Sequence, residues 1–257
     1  MRTFKVLQFN MQFGQSWEEI HPDRAPVDLG LTIAEIREQD ADIVFLQEVE
    51  QARPEGLQPD PPPNYTRLSA ELKGYEGFFS YPRQDPRELP FGIGLAIFSK
   101  TRLHRPFLRY LPSPPVEFQF RGHKCTPTDR LLIGAETTLG QRELRVLNTH
   151  LLAFFMLKAG AEEQFGQREL VIKELLASDG ATLIGGDFNV SRHESLVQQF
   201  ALAGYRPVQT DKVTWRRRPY VLDHIFYSQQ LRPVHHAVKP TNASDHHMLV
   251  AEFEFSR

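Results

Sequence analysis

The chain has 257 residues, 40% of them hydrophobic and 24% charged, with a formal net charge of −2. This is an ordinary globular composition. It supplies no global basic field for nucleic acid, and the lone cysteine, Cys125, excludes an internal disulfide framework or a Cys-based metal site.

The N-terminal MRTFKVLQFNMQFG has neither a long apolar run nor a small-residue cleavage site, so no secretory leader is expected. Phe4–Phe9 reads as a strand. Asp28–Gln39 has helical periodicity, with Leu31, Ala34 and Ile36 on one side. Ile43–Leu46 is a continuous apolar run of the kind found in strands buried on both faces. Gln51–Asn64 carries Pro54, Pro59 and Pro61–Pro63 and reads as a loop. Gly94–Ser99 is a further strand, and the proline-rich His104–Thr128 is expected to be a long irregular surface excursion. Leu131–Leu139 and Leu144–Asn148 predict a hairpin turning at Gly140-Gln141.

Ala161–Ala177 predicts a helix anchored by Phe165, Val171, Ile172 and Leu175, with Gly180 beyond its end. Thr182–Ile184, Tyr220–Tyr227 and Met248–Phe255 complete the strands. The last alternates Leu249, Ala251, Phe253 and Phe255 against Val250, Glu252 and Glu254. The longest apolar run, Leu151–Leu157, falls far short of the ~18 residues that cross a bilayer, so no transmembrane segment and a cytoplasmic protein are expected. Many strands and few helices predict two packed sheets with helices outside. The length is compatible with one domain over residues 1–257, because strand-rich domains reach about 250 residues.

Polar groups interrupt the apolar strands in a repeated way. Asn10 follows VLQF, Glu48 follows IVFLQ, and Asn148-Thr149-His150 follows LRVL. Asp187 and Asn189 follow LIGG, Asp223-His224 lies inside YVLDHIF, and Ser244-Asp245-His246-His247 precedes MLVAEF. One Asn or Asp after a strand is ordinarily a turn residue. Six such clusters at strand ends, where loops gather sites, point instead to a metal-assisted hydrolase.

The ordered set FN (Phe9-Asn10), LQEV (Leu46–Val49), NTHL (Asn148–Leu151), GDFN (Gly186–Asn189), TW (Thr214-Trp215) before LDHIF (Leu222–Phe226), and SDHH (Ser244–His247) resembles the endonuclease/exonuclease/phosphatase superfamily over nearly the whole chain. The resemblance implies an α+β fold, a four-layer α/β/β/α sandwich of two packed, mostly antiparallel sheets (DNase I-like). It also implies hydrolysis of phosphate esters with Mg²⁺ or Mn²⁺. Glu48 is then the candidate metal ligand, with Asn10 beside it and Asp245 as a further ligand or support. Gln12 stands where the family often has an acid, which leaves the number of metals open. Asp187 is the candidate general base, Asn189 a hydrogen-bonding partner of phosphate or water, and His246, oriented by Asp223, the polariser of the phosphate. His150 contacts the phosphate or protonates the leaving oxygen. His224 and His247 are expected to be structural, and Arg168 does not align securely.

The substrate stays open at this level. Arg216–Arg218 suit a nucleic-acid backbone, an extra phosphate or only water. Phe154 and Phe155 suit base stacking, peripheral lipid contact or packing under the next helix. A nuclease or phosphodiesterase acting on DNA or RNA heads the expectations. A phosphoesterase for small molecules or lipid head groups is the alternative, followed by a non-catalytic binding module.

Overall fold

The computed structural model describes residues 3–87, 92–120, 122–157 and 165–256. The chain opens with β1 (Phe4–Asn10), α1 (Leu29–Gln39) and β2 (Ile43–Gln51), then α2 (Pro63–Glu71), β3 (Glu76–Ser80) and β4 (Gly92–Ser99). It continues through β5 (Leu103–Leu111), a small hairpin of β6 (Phe118–Phe120) and β7 (His123–Cys125), then β8 (Arg130–Leu139) and β9 (Arg142–His150). α3 (Phe165–Leu175), β10 (Thr182–Asp187), α4 (Glu194–Leu202), β11 (Arg206–Pro207), β12 (Asp223–Tyr227), β13 (Leu231–Lys239) and β14 (Met248–Phe255) follow.

Two six-stranded sheets result, ordered β13-β14-β1-β2-β4-β3 and β11-β12-β10-β9-β8-β5. Each has a single parallel pair at its centre, β1/β2 and β9/β10, and is otherwise antiparallel. A parallel pair needs a crossover, and α1 and α3 supply it. Period-2 alternation then sorts side chains into layers. Val6, Phe45, Val146, Leu183, Ile225 and Leu249 meet between the sheets. Leu7, Val44 and Val250 pack under α1 and α2 on Ile33 and Leu68. Leu147, Ile184 and Phe226 pack under α3 and α4 on Val171 and Phe200. Both faces of the central strands are buried, so their runs are continuously apolar, and the whole is the expected four-layer sandwich.

The expected hairpin forms as β8 and β9, with Gly140 at φ +68° in its turn. The alternation of β14 is also as expected. Elsewhere the structure corrects the reading. In α1 the Asp28 carboxylate caps the helix by accepting from the Leu31 N–H (3.0 Å). Its buried stripe is Leu29, Thr32, Ile33 and Ile36, while Ala34 is exposed. The helical rotation of 3.6 residues per turn puts Ala34 past that stripe.

Gln51–Asn64 is not all loop, because Pro63 opens α2 at the position where a proline's missing N–H costs nothing. His104–Thr128 is largely strand. Pro106 is accommodated because β5 is an edge strand with a bulge between His104 and Phe107. Tyr220 makes only an isolated bridge to Trp215, and the strand starts at Asp223. α3 ends at Leu175; the residues expected to open it, from Ala161, and the side chain of Phe165 lie outside the described ones. β3, α4, β11 and β13 were not anticipated. Among the described residues no helix is long and apolar enough to cross a membrane.

Candidate active site

Along the inter-sheet face the central strands run from apolar residues to polar ones at the strand end: Val6, Gln8, Asn10 on β1; Val146, Asn148, His150 on β9; Leu183, Gly185, Asp187 on β10. The parallel pairs end together, so Asn10 and Gln47 lie side by side, as do His150 and Asp187. The antiparallel β12 begins opposite, with Asp223 in register with Asp187. His246 comes two residues before β14 starts beside β1. One edge of the sandwich therefore receives all these side chains.

Glu48 has the wrong parity for this face. A bulge in β2 between Gln47 and Glu50, with Glu48 at φ +49°, turns it inward. Its Oε2 accepts from the Gly92 N–H (3.1 Å), and a Cβ at residue 92 would lie 2.4 Å from that oxygen. Asn10 Nδ2 forks between Glu48 Oε1 (3.1 Å) and Asp187 Oδ2 (3.0 Å). The other Asp187 oxygen accepts from the Asn189 N–H (3.0 Å). Asn189 does not continue an extended strand as the period-2 reading required. It sits at φ +52° with its NH₂ group on the Leu151 carbonyl (2.9 Å), and still lines the cavity.

His246 donates from Nδ1 to Asp223 Oδ2 (2.8 Å), which turns Nε2 toward Asp187 Oδ2 (3.7 Å) and Asp245 Oδ1 (3.9 Å). His150 Nε2 lies 3.6 Å from the same Asp187 oxygen and 3.9 Å from Glu48 Oε1. Asp245 Oδ2 accepts from Arg217 Nε (2.5 Å) and Trp215 Nε1 (3.2 Å), and the Asp245 N–H donates to Gln12 Oε1 (3.2 Å). Glu48, His150, Asp187, Asn189, Asp245 and His246 line a cavity of about 550 Å³, in the usual range for ligand sites, with Asn10 and Asp223 fully buried behind them. It is walled by the Gln12–Val27 segment, by Phe118 to Arg130 around the β6–β7 hairpin, and by Leu151 to Leu157.

Burial raises the Glu48 carboxyl to about 7, with the Asp245 charge adding to it. Burial likewise raises Asp187 to about 7; the charges of Asp223 and Glu48 push the same way and His246 opposes them. At His246 burial disfavours the proton, but Asp223 and Asp187 outweigh it and lift the imidazole to about 10. Burial, with the charges of Arg130 and His246, holds His150 well below the usual imidazole range. Crowded acids that resist ionisation together are what a hard divalent cation relieves, and carboxylate and amide oxygens are its preferred donors. The residues present thus fit the metal that the resemblance implies. Asp187, Asp223 and His246 also offer atoms within 4.8 Å of one another, but Asp223 spends an oxygen on His246 Nδ1.

His224 is buried beside Phe188 and Phe226, and burial lowers it to about 4. Phe154 is buried and Phe155 packs on Trp215 and Tyr220. Arg216 and Arg217 lie over the Trp17 ring, with Arg216 bonded to the Thr241 carbonyl. Arg168 is fully buried and bonds Ser195 Oγ (3.1 Å). Sequence reasoning missed Gly92, Gln8, Gln47 and the contact of Arg217 with Asp245. For the two glutamines the signal was present, as polar residues at inward parity in apolar strands.

A sequence model described as the Endonuclease/Exonuclease/phosphatase family matches residues 7–246. The chain belongs to that family. Solved structures agree on the fold. An endonuclease/exonuclease/phosphatase from Beutenbergia cavernae superposes with a TM-score of 0.74 at 20% identity, covering 100% of this chain and 72% of that one. D. rerio TDP2 complexed with a single strand DNA product gives 0.69 at 18%, covering 99% and 100%. A Bacteroides thetaiotaomicron mannosyl-6-phosphatase gives 0.65 at 15%, covering 98% and 100%. No curated protein sequence matches significantly. As a member of the endonuclease/exonuclease/phosphatase family the chain is a phosphoesterase, a hydrolase acting on ester bonds.

Proposed function

We infer that this phosphoesterase is divalent-metal-dependent and uses Asp187 to activate water. The observation that carries the reading is the convergence of Asp187, His150 and the Asp223–His246 pair on one cavity beside Glu48 and Asn10. Glu48 and Asp245, supported by Asn10, whose Oδ1 accepts from the Gln12 N–H (3.1 Å), would hold Mg²⁺ or Mn²⁺, which when bound supplies positive charge to the phosphate and its attacking water. Asp187 takes the proton of the attacking water; a base titrating near neutrality suits this step. Asn10 Nδ2 holds the Asp187 oxygen in place, and Asn189 fixes the other through its backbone N–H. His246, kept charged by Asp223, faces the cavity with Nε2–H and stabilises negative charge gathering on the phosphoryl oxygens. His150, kept neutral, serves as a hydrogen-bond donor to a phosphate oxygen.

The walled cavity favours a small phosphate ester or a chain end over the interior of a duplex. Arg216 and Arg217 are engaged by Trp17, Asp23 and Asp245, which further weakens the case for backbone binding. The nuclease reading is supported by the structural likeness to TDP2 with its DNA product, the small-ester reading by the likeness to the mannosyl-6-phosphatase. The deciding experiment incubates the protein with Mg²⁺ or Mn²⁺, against EDTA, on plasmid, single-stranded oligonucleotide, bis-p-nitrophenyl phosphate, p-nitrophenyl phosphate, sugar phosphates and a sphingomyelin analogue. Metal-dependent release from small esters or oligonucleotide ends, with plasmid intact, is expected. Nicking of plasmid would establish the endonuclease instead, and hydrolysis undiminished by EDTA would contradict the metal requirement.

A further inference from the structure

We propose that Arg217 stands where a second divalent cation would otherwise sit, so that this site holds one metal ion. The inference rests on the metal-dependent reading above and deepens it. Arg217 bridges two carboxylates, donating from Nε to Asp245 Oδ2 (2.5 Å) and from an Nη group to Asp23 Oδ1 (2.8 Å). A cation between two carboxylates at the cavity wall is the arrangement a divalent ion makes, and here a guanidinium makes it. The Trp215 indole N–H donates to the same Asp245 oxygen (3.2 Å), so that atom is already supplied with donors. Gln12 adds no charge, and its Oε1 is occupied by the Asp245 N–H (3.2 Å).

The charges point the same way. Around the site the carboxyls of buried Asp187, Asp223 and Asp245 and of partly buried Glu48 face the cations of buried His246 and partly buried Arg217. With all four carboxyls ionised the excess is two negative charges, which one divalent ion neutralises. A second would leave the same excess of positive charge on groups that are mostly withdrawn from solvent. Asp23 is largely exposed and is screened by solvent. Arg217 is a positioning residue in this account: it fixes Asp245 and the charge of the site and needs no contact with substrate.

The test is the stoichiometry of Mn²⁺ on the full chain, by calorimetric titration and by electron paramagnetic resonance of the bound ion. The wild type is expected to bind one ion, Arg217→Gln two with the broadened signal of a coupled pair, and Arg217→Lys one. Two ions on the wild type, or one on a folded Arg217→Gln variant, would overturn the proposal. The wild-type measurement stands alone if that variant does not fold. Absence of Mn²⁺ binding to any form is a different result, which would sink the metal-dependent reading itself and this inference with it.

Discussion

Asp187 and Glu48 are acids held above their ordinary range chiefly by burial, and that sets how the metal-free protein responds to pH. A carboxyl whose folded pKa exceeds its unfolded one binds its proton more tightly when folded. Its stabilising effect is complete at low pH and is lost as pH rises through the folded value of about 7. Buried Glu50, also raised to about 7, adds in the same direction. His246, raised to about 10, contributes stability that is intact below the ordinary imidazole range and disappears only as pH rises through about 10. In EDTA the Tm is therefore expected to fall between about pH 4 and about pH 7 more steeply for the wild type than for Asp187→Asn. Parallel curves would contradict the burial account. Mn²⁺ at a hundredfold excess over its Kd should restore about 2.7 kcal/mol. At this scale the ionisable residues were legible, because carboxylates and imidazoles interrupting apolar strands have few bland explanations in such number. Gly92 and Arg217 were not, because their roles exist only through contact with Glu48 and Asp245, distant in sequence.

Among the elements, β2 does the least ordinary work. Its bulge breaks the alternation that the apolar run Ile43–Leu46 establishes, and it turns Glu48 inward under cover of Gly92. Gly92→Ala would put a methyl group 2.3–2.4 Å from Glu48 atoms. It is expected to cost about 1–3 kcal/mol in urea denaturation and to weaken Mn²⁺ binding by at least about tenfold. Wild-type Mn²⁺ affinity in that variant would show that Glu48 is not held this way. Strands buried on both faces and the β8–β9 hairpin were readable from pattern. β5 was not, since Pro106 suppresses the strand signal that an edge position permits. The opening of α2 at Pro63 was hidden because the same prolines that mark a loop also start a helix.

Across the whole molecule, the two sheets are joined near the site by buried amides as well as by apolar packing. Gln8 contacts Gln47 and Asp223, Gln47 donates to Asn148 Oδ1 (2.6 Å), and Asn148 Nδ2 donates to the Leu46 (2.8 Å) and Ala96 (2.9 Å) carbonyls. Gly185 lets the sheets close here, as a Cβ would lie 2.3 Å from the Phe45 ring. Asn148→Leu would orphan these partners at about 1–3 kcal/mol each. Chemical denaturation should register the loss, and an unchanged midpoint would mean that the sheets do not rely on this network. The sandwich was legible from strand number and from the family motifs. The amide layer between its sheets was not, because pairing across sheets leaves no local pattern.

The most direct test of the account is the turnover of Asp187→Asn under conditions where its Mn²⁺ binding is shown to match the wild type. If Asp187 activates the attacking water, kcat on the best ester should fall about 10²–10⁴-fold while the metal and the fold are retained. A metal-loaded, folded Asp187→Asn variant with wild-type kcat would contradict it.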